Sequence, residues 1–260
     1  MVNLRKYNGL ITHFFVSIFI FLLISCGSQS YQNTKIEGKK IGVTPEFGET
    51  KAINDFIAPY KDHINKDLDH VLSYAPETMD KSKGEWQTTI GNLMAEMTME
   101  MGNPVFNKKT GKNLDICLLN HGGIRAILPK GNVTTRNAFE IMPFENSLIV
   151  IELKGIQIRE MAQYMLKEKK PHPLTGMKII ANKSDLTIKT ILINNKPLDD
   201  NANYFVGTSD YLSNGGDRMD FFKKGIQSYD MEYKLRNLMI DYFKKTPSLP
   251  IIKTERVVLE

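Results

Sequence analysis

Only two cysteines occur in the 260 residues, Cys26 and Cys117, so no framework of disulfides staples this chain. It must fold by burying a core, and an apolar fraction of 42% is that of an ordinary globular protein. Histidine is scarce as well. Of those beyond the N-terminal segment, His63, His70, His121 and His172, none forms an Asp-x-His or His-x-His pair. Hydrolytic metal sites draw their ligands from such pairs, so neither a metal site nor a catalytic residue is expected in this chain. Charge of one sign is also lacking. The net charge is +5, of which Arg5 and Lys6 supply two, leaving +3 beyond position 25. Lysine and arginine are scattered among acids rather than striped, which argues against nucleic acid as a partner. No internal repeat is present.

A long apolar run is missing too. The run from Phe14 to Ile24 is too short to span a bilayer as a stable helix, and with Arg5 and Lys6 ahead of it reads as a secretory signal. It ends in Leu23-Ile24-Ser25-Cys26, which resembles a bacterial lipobox. That resemblance implies a diacylated Cys26 as the mature N-terminus, anchored in a membrane by its lipid. Residues 1–25 are then the signal and 26–50, rich in Gly, Ser, Thr, Lys and Asn, a tether, with a short strand expected at Ile41–Val43. Residues 51–260 read as one domain, exported to the periplasm or the cell surface.

Within that domain, Ile53, Phe56, Ile57, Tyr60 and Ile64 fall at helical spacing and suggest a core helix. Residues 75–89 read as a loop. Ile90, Leu93, Met94, Met97 and Met101 mark a second helix, whose methionines are core filling. Residues 131–135 read as a turn, Leu148–Leu153 as a strand, and Ile158, Met161, Ala162, Met165 and Leu166 as the buried stripe of a helix. Strands are expected at Met177–Ala181 and Ile188–Ile193. A last helix carries Met231, Leu235, Leu238, Met239 and Tyr242, and Ile251–Leu259 closes the chain as a strand. Cys117 sits in an apolar strand and reads as a small buried hydrophobe.

Two glycine turns follow strand-like runs. Leu114–Leu119 leads into Asn120-His121-Gly122-Gly123-Ile124-Arg125, and Tyr204–Thr208 leads into Ser209 and then Asn214-Gly215-Gly216-Asp217. Glycines there allow backbone angles closed to other residues, so that a ligand can approach closely. Taken alone, the first turn also fits a plain strand end with a solvated arginine. Between the two lies Met142-Pro143-Phe144-Glu145-Asn146. Phe144 and Tyr211 suit stacking on a flat ring, Asp217 accepts hydroxyl hydrogens, and Arg125 suits an anion. Core packing of both aromatics is the competing reading.

The ordered set Asn-x-Gly-Gly-Ile-Arg, Pro-Phe-x-Asn and Tyr211 six residues before Asp217, with Gly91-Asn92-Leu93 upstream, resembles the C-terminal domain of the 5'-nucleotidases over about Ile53 to Glu260. The resemblance implies a mixed α/β sandwich (α+β in its arrangement). It implies that Asn120, Gly122, Gly123, Arg125, Phe144, Asn146, Tyr211, Asn214, Gly215, Gly216 and Asp217 bind nucleotide, with Phe144 and Tyr211 on the base, Asp217 on the ribose and Arg125 on phosphate. The family commonly places further arginines ahead of Gly-Asn-Leu, whereas no Arg lies between Arg5 and Arg125, so Lys81 or Lys83 is a candidate substitute. Tyr211 also stands where the family usually has Phe. The family's two-metal catalytic domain is not found ahead of Ile53. The expectation is the nucleotide-recognition half of a split 5'-nucleotidase, with no cofactor of its own. Divalent metals would sit in a separately encoded metallophosphatase. The alternative is a lipoprotein that binds nucleotide or nucleoside without any hydrolytic role.

Overall fold

The structure, a computed structural model, describes residues 8–23 and 31–260. Chain contacts divide it at Lys51 and Ala52 into two units. The first contains helix α1 (Asn8–Leu23) and a helical turn at Pro45–Phe47. No strand forms at Ile41–Val43, where both end residues are exposed. Among the described residues no helix is long and apolar enough to cross a membrane. Cys26 lies outside the described residues.

All but the first residue of α2 (Lys51–Leu68) belongs to the second unit, and it is a helix in keeping with its spacing but not a core helix. None of its residues is buried, and Phe56 is 71% exposed. Its C-terminal end is held by Arg136, whose Nε donates to Asp69 Oδ1 at 2.8 Å and whose Nη2 donates to Asn65 Oδ1 at 2.9 Å. Periodicity shows that a helix has an apolar face, not what covers it.

The core is built on a five-stranded sheet in the order β10 (Gln227–Lys234), β4 (Ser147–Lys154), β9 (Asn203–Ser209), β2 (Ile116–Leu118), β5 (Leu174–Thr175). Strands β2 and β9 are parallel, and the other neighbours are antiparallel. Side chains alternate across a strand, and here both faces are covered. Leu148 and Val150 of β4, with Cys117, pack under α3 (Thr89–Thr110) and α7 (Leu235–Lys245). Ile149, Ile151 and Leu153, with Ile116 and Leu118, pack against α5 (Gly155–Glu168) and a second sheet. That sheet runs β11 (Val257–Leu259), β6 (Met177–Ala181), β7 (Ile188–Ile193), β8 (Lys196–Pro197). Coverage on both sides explains why β4 reads as a continuous apolar run. The architecture is a mixed α/β sandwich. Cys117 is wholly buried, and burial raises its thiol pKa, so it is not a nucleophile.

Three local expectations are corrected. Residues 131–135 are not a turn but strand β3 (Gly131–Thr134), paired with β1 (Val71–Ala75) and leading into α4 (Thr135–Ile141). Thr134 and Asn137 form a reciprocal capping box there, with Thr134 N donating to Asn137 Oδ1 at 2.9 Å. Met231 belongs to β10 rather than to the last helix. Tyr229, Met231 and Tyr233 alternate inward with a period of two, which the four-residue spacing of Met231 and Leu235 conceals. The closing strand begins only at Val257.

Candidate functional site

Three loops reach one edge of the five-stranded sheet for topological reasons. Because β2 and β9 are parallel neighbours, with Ile116 opposite Val206, their carboxyl ends emerge together. Strand β4 is antiparallel to β9, with Leu148 opposite Ser209, so its amino end lies at the same edge. The carboxyl ends of strands are where open α/β sheets ordinarily bind ligands. The first loop carries a helical turn at His121–Gly123, and the second carries α6 (Asp210–Ser213) and a turn at Gly216–Arg218.

These loops enclose a cavity of about 370 Å³. Asn120, Gly122, Gly123, Arg125, Phe144, Asn146, Tyr211 and Asp217 all line it. Asn214, Gly215 and Gly216 line an adjoining open cleft that shares Asn146 and Tyr211. The core-aromatic reading fails, because Phe144 is 41% and Tyr211 47% exposed. The Arg125 guanidinium lies 5.9 Å from the centre of the Phe144 ring, and its side chain has no carboxylate partner among the described residues. The Asp217 carboxylate accepts from Asn120 Nδ2 at 2.8 Å and from the Tyr211 hydroxyl at 2.9 Å.

The glycines act differently from the sequence expectation. Neither Gly122 nor Gly123 adopts a positive φ, whereas Gly215 does, at 84°. At Gly123 the constraint is space, since a Cβ would stand 2.9 Å from Asn120 Oδ1. At Gly216 it would stand 2.5 Å from the Tyr211 ring, so glycine is what lets that ring lie against the loop.

Several supporting residues gave no signal in the sequence. Arg236 of α7 is buried and bonds the carbonyls of Met142 and Phe144 through Nη1, at 3.4 and 3.3 Å. It also pairs with Glu145 and lies over the Phe139 ring, so it fixes the backbone that presents Phe144. Tyr164 of α5 donates its hydroxyl to the Asp217 carbonyl at 2.7 Å. His172, 3% exposed, accepts from His121 N on Nδ1 at 3.2 Å and so braces the first loop. Burial lowers its pKa to about 4. Of the two candidate lysines, Lys81 reaches the first loop and donates from Nζ to the Ile124 carbonyl at 2.6 Å, one residue before Arg125. Lys83 lies instead by Asp80, whose carboxyl pKa is lowered mainly by hydrogen bonds from Ser82.

Two larger clefts, of about 640 and 510 Å³, lie away from these loops. Neither brings an arginine together with an aromatic pair. Among the described residues no three His, Cys, Asp or Glu side chains converge as a metal site would require.

The sandwich and the cavity at its loop edge define the class, a mixed α/β domain of the kind found in 5'-nucleotidases. This chain belongs to the 5'-nucleotidase C-terminal domain family, whose model matches residues 70–224. The matched span starts after α2. The chain is 28% identical over 130 residues to the NAD 5'-nucleotidase of Haemophilus influenzae, covering 44% of this chain and 22% of that protein. It is 25% identical over 210 residues to cell wall protein Lmo0130 of Listeria monocytogenes, covering 74% and 26%. Among solved structures, the 5'-nucleotidase precursor of Thermus thermophilus matches with a TM-score of 0.67 at 22% identity, over 79% of this chain and 42% of that one. That likeness shows the fold. The chain spans well under half the length of these relatives.

Proposed function

We propose that this chain is the nucleotide-recognition half of a split 5'-nucleotidase. It holds base and ribose for a separate metallophosphatase, which supplies the divalent metals. The observation that carries the reading is the convergence on one cavity of two exposed aromatics, a carboxylate and an arginine with no carboxylate partner among the described residues. Phe144 and Tyr211 clasp the base, Asp217 and Asn120 meet the ribose hydroxyls, and Arg125 meets phosphate, with Lys81 adding positive charge beside it. We place the protein outside the cytoplasm, lipid-anchored through Cys26 in the periplasm or at the cell surface. The signal-like N-terminus supports this, as does a relative named for the cell wall.

Calorimetry with nucleosides and their 5'-monophosphates tests the recognition half. Arg125→Ala should weaken monophosphate binding by about 1.5–3 kcal/mol, the contribution of a charged hydrogen bond, and leave nucleoside binding nearly unchanged. Equal losses for both ligands would remove Arg125 from phosphate. Pull-down from native membranes tests the partnership. Nucleotide binding without a co-purifying metallophosphatase would favour a binding lipoprotein with no hydrolytic role.

A further inference from the structure

Asp217 is held more tightly than a ligand-reading carboxylate needs to be. It has φ 52°, Arg218 beside it has φ 62°, and neither is glycine. Left-handed backbone costs an L-residue roughly 1–2 kcal/mol, so the loop persists only where its surroundings enforce it. They do so at every polar atom. The Asp217 amide donates to the Tyr211 hydroxyl at 3.2 Å, and that hydroxyl donates onward to Asp217 Oδ1 at 2.9 Å. Oδ2 accepts from Asn120 at 2.8 Å, and the Asp217 carbonyl accepts from Tyr164 at 2.7 Å. The Tyr211 ring lies flush against Gly216, where a Cβ would stand 2.5 Å from it.

From this we infer that Tyr211 is a specificity-determining residue, its hydroxyl setting the Asp217 carboxylate to read a vicinal diol, one hydroxyl on each oxygen. An ionised carboxylate offers about four acceptor sites, two on each oxygen. Tyr211 occupies one on Oδ1 and Asn120 one on Oδ2, so one remains on each. A ribose presents two hydroxyl hydrogens, and the remaining sites match them singly. Phenylalanine at this position would keep the aromatic wall. It would leave the Asp217 amide without its partner and Oδ1 with both sites open, so the carboxylate would no longer be fixed in that geometry.

The inference rests on the nucleoside-recognition reading above, and its test is arranged so that the two can fail separately. The unmutated full chain is titrated with adenosine and uridine and with their 2'-deoxy, 3'-deoxy and 2',3'-dideoxy forms. Each single deletion should weaken binding, the two effects should be of similar size, and they should multiply in the dideoxy form. One hydroxyl carrying the whole effect would overturn the arrangement. Tyr211→Phe should then lower the ratio of ribonucleoside to dideoxynucleoside affinity roughly tenfold, the scale of one hydrogen bond to a charged group, with dideoxynucleoside affinity held within about twofold. An unchanged or increased ratio in a variant with the unmutated thermal midpoint would refute the role of the hydroxyl. If that variant does not fold, Tyr211→Leu, which also lacks the hydroxyl, is read by the same ratio. No binding of either ribonucleoside would count against the nucleoside-recognition reading itself.

Discussion

Acidification should destabilise this fold through His172, and the size of the effect follows from its surroundings. The ring is 3% exposed, its Nδ1 accepts from His121 N, and its Nε2 is buried with no hydrogen-bond partner. Burial is the largest cause lowering its pKa from 6.5 to about 4. His121 and Lys170 lower it further, while Asp217 and Glu168 act in the opposite sense. The folded state therefore holds the proton less tightly than the unfolded chain. Between pH 6.5 and about 4 the unfolded state binds more protons, so stability rises with pH across that window. The contribution is fully present above pH 6.5 and is lost as pH falls to about 4. A lowering of that size corresponds to about 3 kcal/mol, a large share of the 5–15 kcal/mol typical of a domain. Urea unfolding at pH 7, 5.5 and 4 measures it directly. The control is His172→Asn, whose amide oxygen can accept from His121 N but does not titrate. The unmutated protein should lose about 3 kcal/mol more than this variant on going from pH 7 to 4. Parallel losses in the two proteins would refute the assignment.

Arg236→Met should lower unfolding free energy by about 1–2 kcal/mol, because the carbonyls of Met142 and Phe144 lose a buried donor while the exposed Glu145 returns to water. It should also weaken nucleoside binding through the loosened Phe144, and calorimetry showing full affinity would remove Arg236 from the support of the site. Phe56→Ser on α2 should change stability by no more than about 0.5 kcal/mol in urea titration, since that ring is exposed. A larger loss would show that the face is covered in solution. Cys26→Ser should abolish incorporation of labelled lipid in the expressing cell, and persistent labelling would exclude this cysteine as the anchor.

The loops were legible because they combine scarce residue types in a fixed order. Glycine pairs at strand ends, a lone arginine and two aromatics near an Asp stand out from a chain otherwise mixed in charge and periodicity. All line one cavity or its adjoining cleft. Illegible were residues that act by reaching across the fold. Arg236 looks like a solvated residue on an amphipathic helix, yet it bonds carbonyls more than ninety positions away in the chain. Tyr164 and His172 likewise meet loops that precede or follow them by some fifty residues. No local pattern encodes such pairings. The misreading of α2 is of another kind. Its spacing specifies a helix with one apolar face, and burial of that face is a tertiary outcome.

What the sheet contributes to the site is positional rigidity at the point where its ladder ends. The hydroxyl of Thr208 donates to the Leu118 carbonyl at 2.8 Å, within a fully buried layer between β9 and β2. This bond ties the two parallel strands together in their last residues, immediately before each releases its glycine loop. Beyond it, the Asn120 to Asp217 bond joins the same two segments again on the exposed side. The first loop is thus anchored to the second both below and within the cavity, while α7 and α5 hold the third loop and Asp217 from the flanks. A carboxylate in a left-handed backbone conformation, fixed at its amide, its carbonyl and both side-chain oxygens, is an expensive arrangement for a surface loop with no ligand to meet. Its persistence over so rigid a base is the structural reason to treat this edge as a site rather than as the end of a sheet.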